Sequence, residues 1–169
     1  MLAFLLTNAL HSLTSIYFLT INILAMKNIL FSFSVLMLGS FTASAQNAAD
    51  LAKIEAAVHA FSNSGDQRDV SQLEKILHPQ FRAVVNRAFG SPELSLMDKT
   101  LYLQLMKDKK IGGDKREVFV LQTDLGKNVA TVKALFQGRE LRFTTFISLV
   151  KLENGEWQIV SDMPEIEKV

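Results

Sequence analysis

Glu140-Leu141-Arg142-Phe143-Thr144-Thr145-Phe146-Ile147-Ser148-Leu149-Val150-Lys151 alternates apolar and polar side chains, then passes through Glu153-Asn154-Gly155 into Glu156-Trp157-Gln158-Ile159-Val160. A period of two is the mark of a strand with one buried face, and a short glycine-bearing turn between two such runs is the mark of a hairpin. Leu141, Phe143, Thr145, Ile147 and Leu149 fall on one face, and Arg142, Thr144, Phe146, Ser148 and Val150 on the other. The first set reads as a core wall with Thr145 as its one polar member. In the second run Trp157 alternates with Ile159, Ser161 and Met163.

Working backward, residues 115–124 and 128–137 have the same Val, Phe, Thr and Ile character and are bounded by Leu125-Gly126-Lys127 and Gln137-Gly138-Arg139. The late half is therefore an antiparallel meander with strands near 115–124, 128–137, 140–151 and 156–163. The early half is helical. Leu51, Ile54, Ala57, Val58 and Phe61 recur at helical spacing over residues 48–64, a helix closed by Ser64-Gly65-Asp66. Asp69 to Leu77 reads as a second helix stopped by His78-Pro79, since the residue before proline avoids helical angles. Phe81 to Phe89 reads as a strand, Gly90-Ser91-Pro92 as a turn and Leu94-Ser95-Leu96 as a short strand. A third helix opens near Met97 or Asp98, runs to Lys107, and turns Leu101, Leu105 and Tyr102 inward. Helices and meander must share one core, which gives an α+β class: a cone-shaped, curved antiparallel sheet wrapped around three N-terminal helices, with a cavity at its open end.

The first 45 residues differ from the rest, with Lys27 as their single charged side chain and every acid at or beyond Asp50. Met26-Lys27-Asn28, the apolar run Ile29 to Leu38, and Ala43-Ser44-Ala45 form a basic, apolar and small-x-small succession, the pattern of an export signal cleaved after Ala45. Residues 1–25 are apolar without Lys or Arg, and three readings stay open: translation from Met26, a membrane-anchored hairpin, or a long leader. The organisation expected is an upstream extension over 1–25, a signal peptide over 26–45 and one domain over 46–169, periplasmic or secreted, touching a membrane only through the export segment.

From Gln46 on, 17 basic residues face 17 acidic ones, so there is no excess positive field for phosphates and no nucleic-acid partner is expected. The absence of cysteine excludes disulfides, thiolate metal sites and cysteine nucleophiles. His59 and His78 lie 19 residues apart, without a zinc-site spacing, so no metal is expected. Gly112-Gly113 precedes a strand rather than opening a helix, so it is no dinucleotide fingerprint, and no cofactor is expected.

The run Gly65-Asp66, Leu77-His78-Pro79-Gln80-Phe81, Phe143 to Lys151 and Gly155-Glu156-Trp157-Gln158-Ile159-Val160 resembles, in order and spacing, the nuclear transport factor 2-like superfamily and within it the putative lumazine-binding (polyketide-cyclase-like, or SnoaL-like) branch. The resemblance covers nearly all of residues 46–169. It implies a homodimer joined through the sheet and a pocket that members use for isomerisation, dehydration, cyclisation or plain binding, so fold alone does not give the chemistry. Members of this branch often carry an Asp-Tyr pair where this chain has Thr145-Phe146, and a lysine where it has Asp162, so no inherited polar site is carried over.

Proton transfer in such a pocket needs a carboxylate or imidazole base and a donor for the developing oxyanion. His59 and Asp124 are the candidate bases and Tyr102 the candidate donor, while His78 reads as a cap on terminal helix carbonyls. Thr145, Trp157 and Arg82 are the candidate ligand contacts, with Arg87 and Arg142 as further cations for an acidic ligand. Three readings follow: an exported small-molecule-binding, non-catalytic domain; a proton-transfer isomerase or dehydratase on a small cyclic substrate; and a protein-interaction module.

Overall fold

The structure, a computed structural model, describes residues 46–169. The expected extension, signal peptide and cleavage point lie outside the described residues. Helix α1, described over 46–67, is followed by α2 (Val70–Ile76), β1 (Leu77–Asn86), a 3₁₀ turn (Ala88–Gly90), β2 (Leu94–Asp98), α3 (Lys99–Lys107), β3 (Glu117–Leu125), β4 (Val129–Gln137), β5 (Leu141–Lys151) and β6 (Trp157–Lys168). The six strands form one curved, unclosed sheet in the order β2-β1-β6-β5-β4-β3. Every pairing is antiparallel except β1 with β6, which is parallel, so the sheet is mixed where a wholly antiparallel one was expected.

The core lies between the helices and one face of this sheet. Ile54, Val58 and Phe61 of α1, Leu73 and Ile76 of α2 and Met106 of α3 are buried against Val132, Phe136, Ile147, Leu149 and Ile159. On β5 the inward set is the expected one, with Thr145, Ile147 and Leu149 almost fully buried. On β4 small and large side chains alternate (Ala130, Val132, Ala134, Phe136), which lets helix and sheet interdigitate.

Several local expectations are corrected. Helix α1 runs through Ser64-Gly65-Asp66 to residue 67, and its turn comes at Arg68, in the left-handed region (φ 54°). Leu51 is 41% exposed and Asp50 is buried in its place. Asp50 accepts hydrogen bonds from Lys151 Nζ (2.8 Å) and Trp157 Nε1 (3.1 Å), so the inner face of α1 carries a polar tie to the β5–β6 hairpin. The phase of α3 is set by Asp98, whose carboxylate caps Leu101 N at 2.8 Å. That start turns Tyr102, Leu103 and Met106 inward and leaves Leu101 exposed.

His78 caps no helix. Leu77 already has extended angles, β1 begins there, and His78 Nδ1 accepts a hydrogen bond from Gln80 N at 3.1 Å. Pro79 belongs to an irregular stretch instead: Leu77 pairs with Ile159 and Arg82 with Ser161, so four residues of β1 stand opposite one of β6. A proline without an N–H donor is tolerated where the ladder is already interrupted.

Candidate functional site

The register of β5 and β6 decides what faces the interior. Leu149 pairs with Ile159, but Ser148 pairs with Ser161, so Val160 is an extra residue in β6. Such a bulge inverts the alternation downstream of it. Trp157 and Ile159 point to the core as expected, whereas beyond the bulge Asp162, Pro164 and Ile166 face inward, and Met163 is 50% exposed. Asp162, only 7% exposed, is thereby brought into a cavity of about 320 Å³ between the sheet and helices α1 and α3.

The cavity wall is largely apolar and aromatic, with Phe61, Phe136, Phe143 and Tyr102 around its body and Phe89 toward solvent. Phe61 stacks on Tyr102 (centroids 6.1 Å apart, planes at 25°), and Phe81 meets the same ring edge-on at 5.3 Å, which fixes the phenol in place. Besides the phenol of Tyr102, five polar side chains line the space: Lys110, Asp114, Arg116, Thr145 and Asp162.

Thr145 donates its hydroxyl to Asp162 Oδ1 at 2.5 Å, inside the core. Oδ2 of Asp162 has no protein partner among the described residues. Burial pushes the Asp162 carboxyl up to about 6, while the hydrogen bond from Thr145 and the positive charge of Arg116 pull the other way. Burial, and then the charge of Asp162, raise Tyr102 above the ordinary tyrosine value of 10.0, with Arg116 opposing them, so the phenol stays protonated and can only donate or accept as a neutral hydroxyl.

Arg116 is held at two of its three guanidinium nitrogens and at its backbone. Its Nε donates to Asp66 Oδ1 at 2.6 Å, its Nη2 donates to the Ser62 carbonyl at 3.0 Å, and its backbone N–H donates to Asp66 Oδ2 at 2.9 Å. The guanidinium carbon lies 5.3 Å from the ring centroids of both Phe136 and Phe143. Gly65 makes this possible, because a Cβ there would stand 2.8 Å from Arg116 Nη2. Asp114 Oδ2 is buried without a hydrogen-bond partner, and a methyl group on Gly138 would collide with it.

Of the residues singled out from the sequence, Tyr102 and Thr145 line this cavity and the others do not. His59 lies 3.9 Å from Glu55 on a half-exposed flank of α1. Asp124 is exposed and accepts from Gln122 Nε2 at 2.9 Å. Trp157 is buried against Asp50, and Arg82 is exposed, its guanidinium on the Phe81 carbonyl. Arg142 pairs with Glu167 on the surface. Sequence reading did not select Asp162, Asp114 or Arg116. The signal for Asp162 was the in-phase set Asp162, Pro164, Ile166, visible only once the bulge is known. Among the described residues no three His, Cys, Asp or Glu side chains gather as a metal-holding group.

A search among curated proteins finds no significant match. Solved structures match over most of the chain. A nuclear transport factor 2-like protein of unknown function from Silicibacter pomeroyi shares 18% identity at a TM-score of 0.63, covering 72% of this chain and 98% of its own. One from Shewanella baltica shares 16% at 0.62, covering 71% and 95%. A ketosteroid isomerase-like protein from Erwinia carotovora atroseptica shares 15% at 0.57, covering 71% and 96%. These likenesses establish the fold. The sequence profile of the family described as putative lumazine-binding matches residues 49–163, and with a family match over more than half its length the chain belongs to that family.

Proposed function

We propose that this domain binds a small, largely apolar organic molecule of one or two rings, oriented by a polar group that reaches Asp162. The observation that carries this reading is a buried carboxyl with a free oxygen at the wall of an aromatic cavity of about 320 Å³, a volume within the range of small-molecule sites. The test is to titrate the isotopically labelled protein with neutral one- and two-ring fragments and follow backbone amide resonances. Shifts centred on Phe143, Thr145 and Asp162 support the reading, and shifts confined to the outer sheet face, or none, defeat it.

A second reading, proton transfer at a carbon next to a carbonyl, is favoured by one further fact. A carboxyl whose affinity for protons lies near neutrality shares the cavity with the protonated phenol of Tyr102. Asp162 is then the base and Tyr102 the donor to the carbonyl oxygen. Exchange of the α-protons of a cyclic ketone in heavy water, lost in Asp162→Asn, decides for it, and exchange equal to buffer decides against.

Export and self-association complete the proposal. The Lys27, Ile29 to Leu38 and Ala43-Ser44-Ala45 succession supports delivery across a membrane with cleavage after Ala45, which mass determination of the processed chain tests. A second copy is the proposed occupant of the outer sheet face, where Leu96, Val84, Met163 and Phe146 lie in one row across four strands. Leu96, Met163 and Phe146 are 60%, 50% and 49% exposed there. Sedimentation of Phe146→Glu as a monomer beside a dimeric parent supports this, and a parent that sediments as a monomer removes it.

A further inference from the structure

The cavity wall carries one unpaired acceptor and one unpaired donor. Asp162, almost fully buried, gives Oδ1 to the Thr145 hydroxyl and keeps Oδ2 without a partner among the described residues. Arg116 uses Nε on Asp66 and Nη2 on the Ser62 carbonyl, and its Nη1 has no partner among the described residues. Neither atom is sealed off. The fully buried side-chain atoms left unpaired among the described residues are Ser62 Oγ and Asp114 Oδ2, and the latter packs on Gly138, closed to a ligand. No ion pair joins Arg116 to Asp162: the carboxylate partner of Arg116 is Asp66, and its guanidinium acts on Asp162 as a charge at a distance. Phe143, which flanks the guanidinium, and Thr145, which holds the carboxyl, are next-but-one residues of β5, so about 7 Å of strand separates the two anchors. Two hydrogen bonds of about 2.9 Å through one small polar group span a gap of that order.

We infer that the ligand carries an amide on its ring, whose carbonyl oxygen accepts from Arg116 Nη1 while its N–H donates to Asp162 Oδ2. An amide offers both functions across one carbon and bears no charge. The wall favours that neutrality. An anion would gain Arg116, already answered by Asp66 at 2.6 Å, and would meet the carboxylates of Asp162 and Asp114; a cation would gain Asp162 and face the guanidinium. Lys110, the other cation, is exposed at the rim. A ketone of the same shape serves Arg116 alone and leaves Asp162 Oδ2 desolvated without a donor. The Tyr102 hydroxyl, held neutral, adds a polar contact without charge, and the aromatic walls take the ring faces.

This inference rests on the cavity reading above, and four probes of one shape separate the two: benzamide, acetophenone, benzamidine and benzoate. Each is titrated into the isotopically labelled protein at about pH 7.5, where Asp162 is ionised, and its dissociation constant is read from backbone amide resonances. Benzamide is expected to bind about tenfold tighter than each of the others. In Asp162→Asn, with Thr145 still on the oxygen, the free position becomes an N–H donor, so benzamide is expected to weaken by about tenfold and acetophenone to hold or tighten. The ranking on the parent protein keeps the test available if Asp162→Asn does not fold. If acetophenone, benzamidine or benzoate binds as tightly as benzamide, or if Asp162→Asn leaves benzamide unchanged, the amide inference falls and the cavity reading stands. If none of the four binds, both fall.

Discussion

Thr145 and Asp162 are bonded diagonally across the β5–β6 ladder: Thr145 has Pro164 as its paired residue and Asp162 has Ile147, yet the Thr145 hydroxyl reaches Asp162 Oδ1 at 2.5 Å. The bond holds the carboxyl in one orientation and leaves its other oxygen to the cavity. Because a donor stabilises the ionised form, Thr145→Val is expected to move the Asp162 titration upward from about 6, by about one pH unit. Carboxyl-carbon resonances followed against pH measure it. A titration that stays in place would show that the hydroxyl does not serve the charge.

Asp162 also sets a slope of stability against pH. Its folded value of about 6 stands above the ordinary 3.8, so between the two the native state keeps a proton that the unfolded chain has released. Its contribution is therefore most favourable below pH 4 and declines as pH rises toward 6, after which it is constant. The full decline is about 3 kcal/mol at about 1.4 kcal/mol per pH unit. Asp162→Asn removes that slope, so relative to the parent it gains stability as pH climbs from 4 to 7. Urea midpoints across this range measure it, and parallel curves for the two proteins would refute it.

The Asp66–Arg116 pair joins the end of α1 to the segment entering β3, with only 9% and 13% of the two side chains exposed. Asp66→Asn leaves a guanidinium among Phe136, Phe143 and one carbonyl, a buried charge without its partner. The expected cost is about 3 kcal/mol by urea unfolding. A cost below about 1 kcal/mol would mean that solvent reaches the pair and screens it.

Trp157 is the single tryptophan of the chain, so its emission reports on Asp50. Asp50→Ala removes the acceptor of the indole N–H and strands Lys151, and it should shift the emission to the red and cost about 2–4 kcal/mol. Asp50→Asn keeps an acceptor for the indole and should restore the emission while recovering only part of the stability. Unchanged emission in Asp50→Ala would show that packing alone holds the indole.

How much of this was legible in the chain varies by residue. The inward face of β5, with Thr145 as its polar member, followed from period-two alternation, because that strand pairs without interruption from Leu141 to Ser148. The meander and its turns were legible for the same reason, since glycine-bearing turns are local signals. Asp162 was assigned no role because the bulge at Val160 exists only in relation to β5, and no property of Val160 itself announces it. His78-Pro79 gave a true local signal, a break in helix, but the break fell inside a strand whose irregular pairing with β6 is a long-range matter. The phase of α3 depended on which residue caps it, and Met97 and Asp98 differ by one position, enough to exchange Leu101 for Leu103 and Met106 beside Tyr102 on the inner face. Asp114 and Arg116 sit between a helix and a strand, where no periodicity reveals direction.

The parallel seam between β1 and β6 has a consequence for the order in which the chain assembles. The β1–β2 unit and the β3-to-β6 meander each form from neighbours in sequence, but the seam joins Leu77 to Ile159 across more than 80 residues. Closing that loop is the step with the largest entropic barrier, since few contacts reward it until the strands are aligned. Folding is thus expected to wait on the docking of two preformed halves, and the cavity, whose lining comes from both, has no existence before that step. A ligand can therefore select the finished sheet and hold it closed, but it has no site from which to speed its formation.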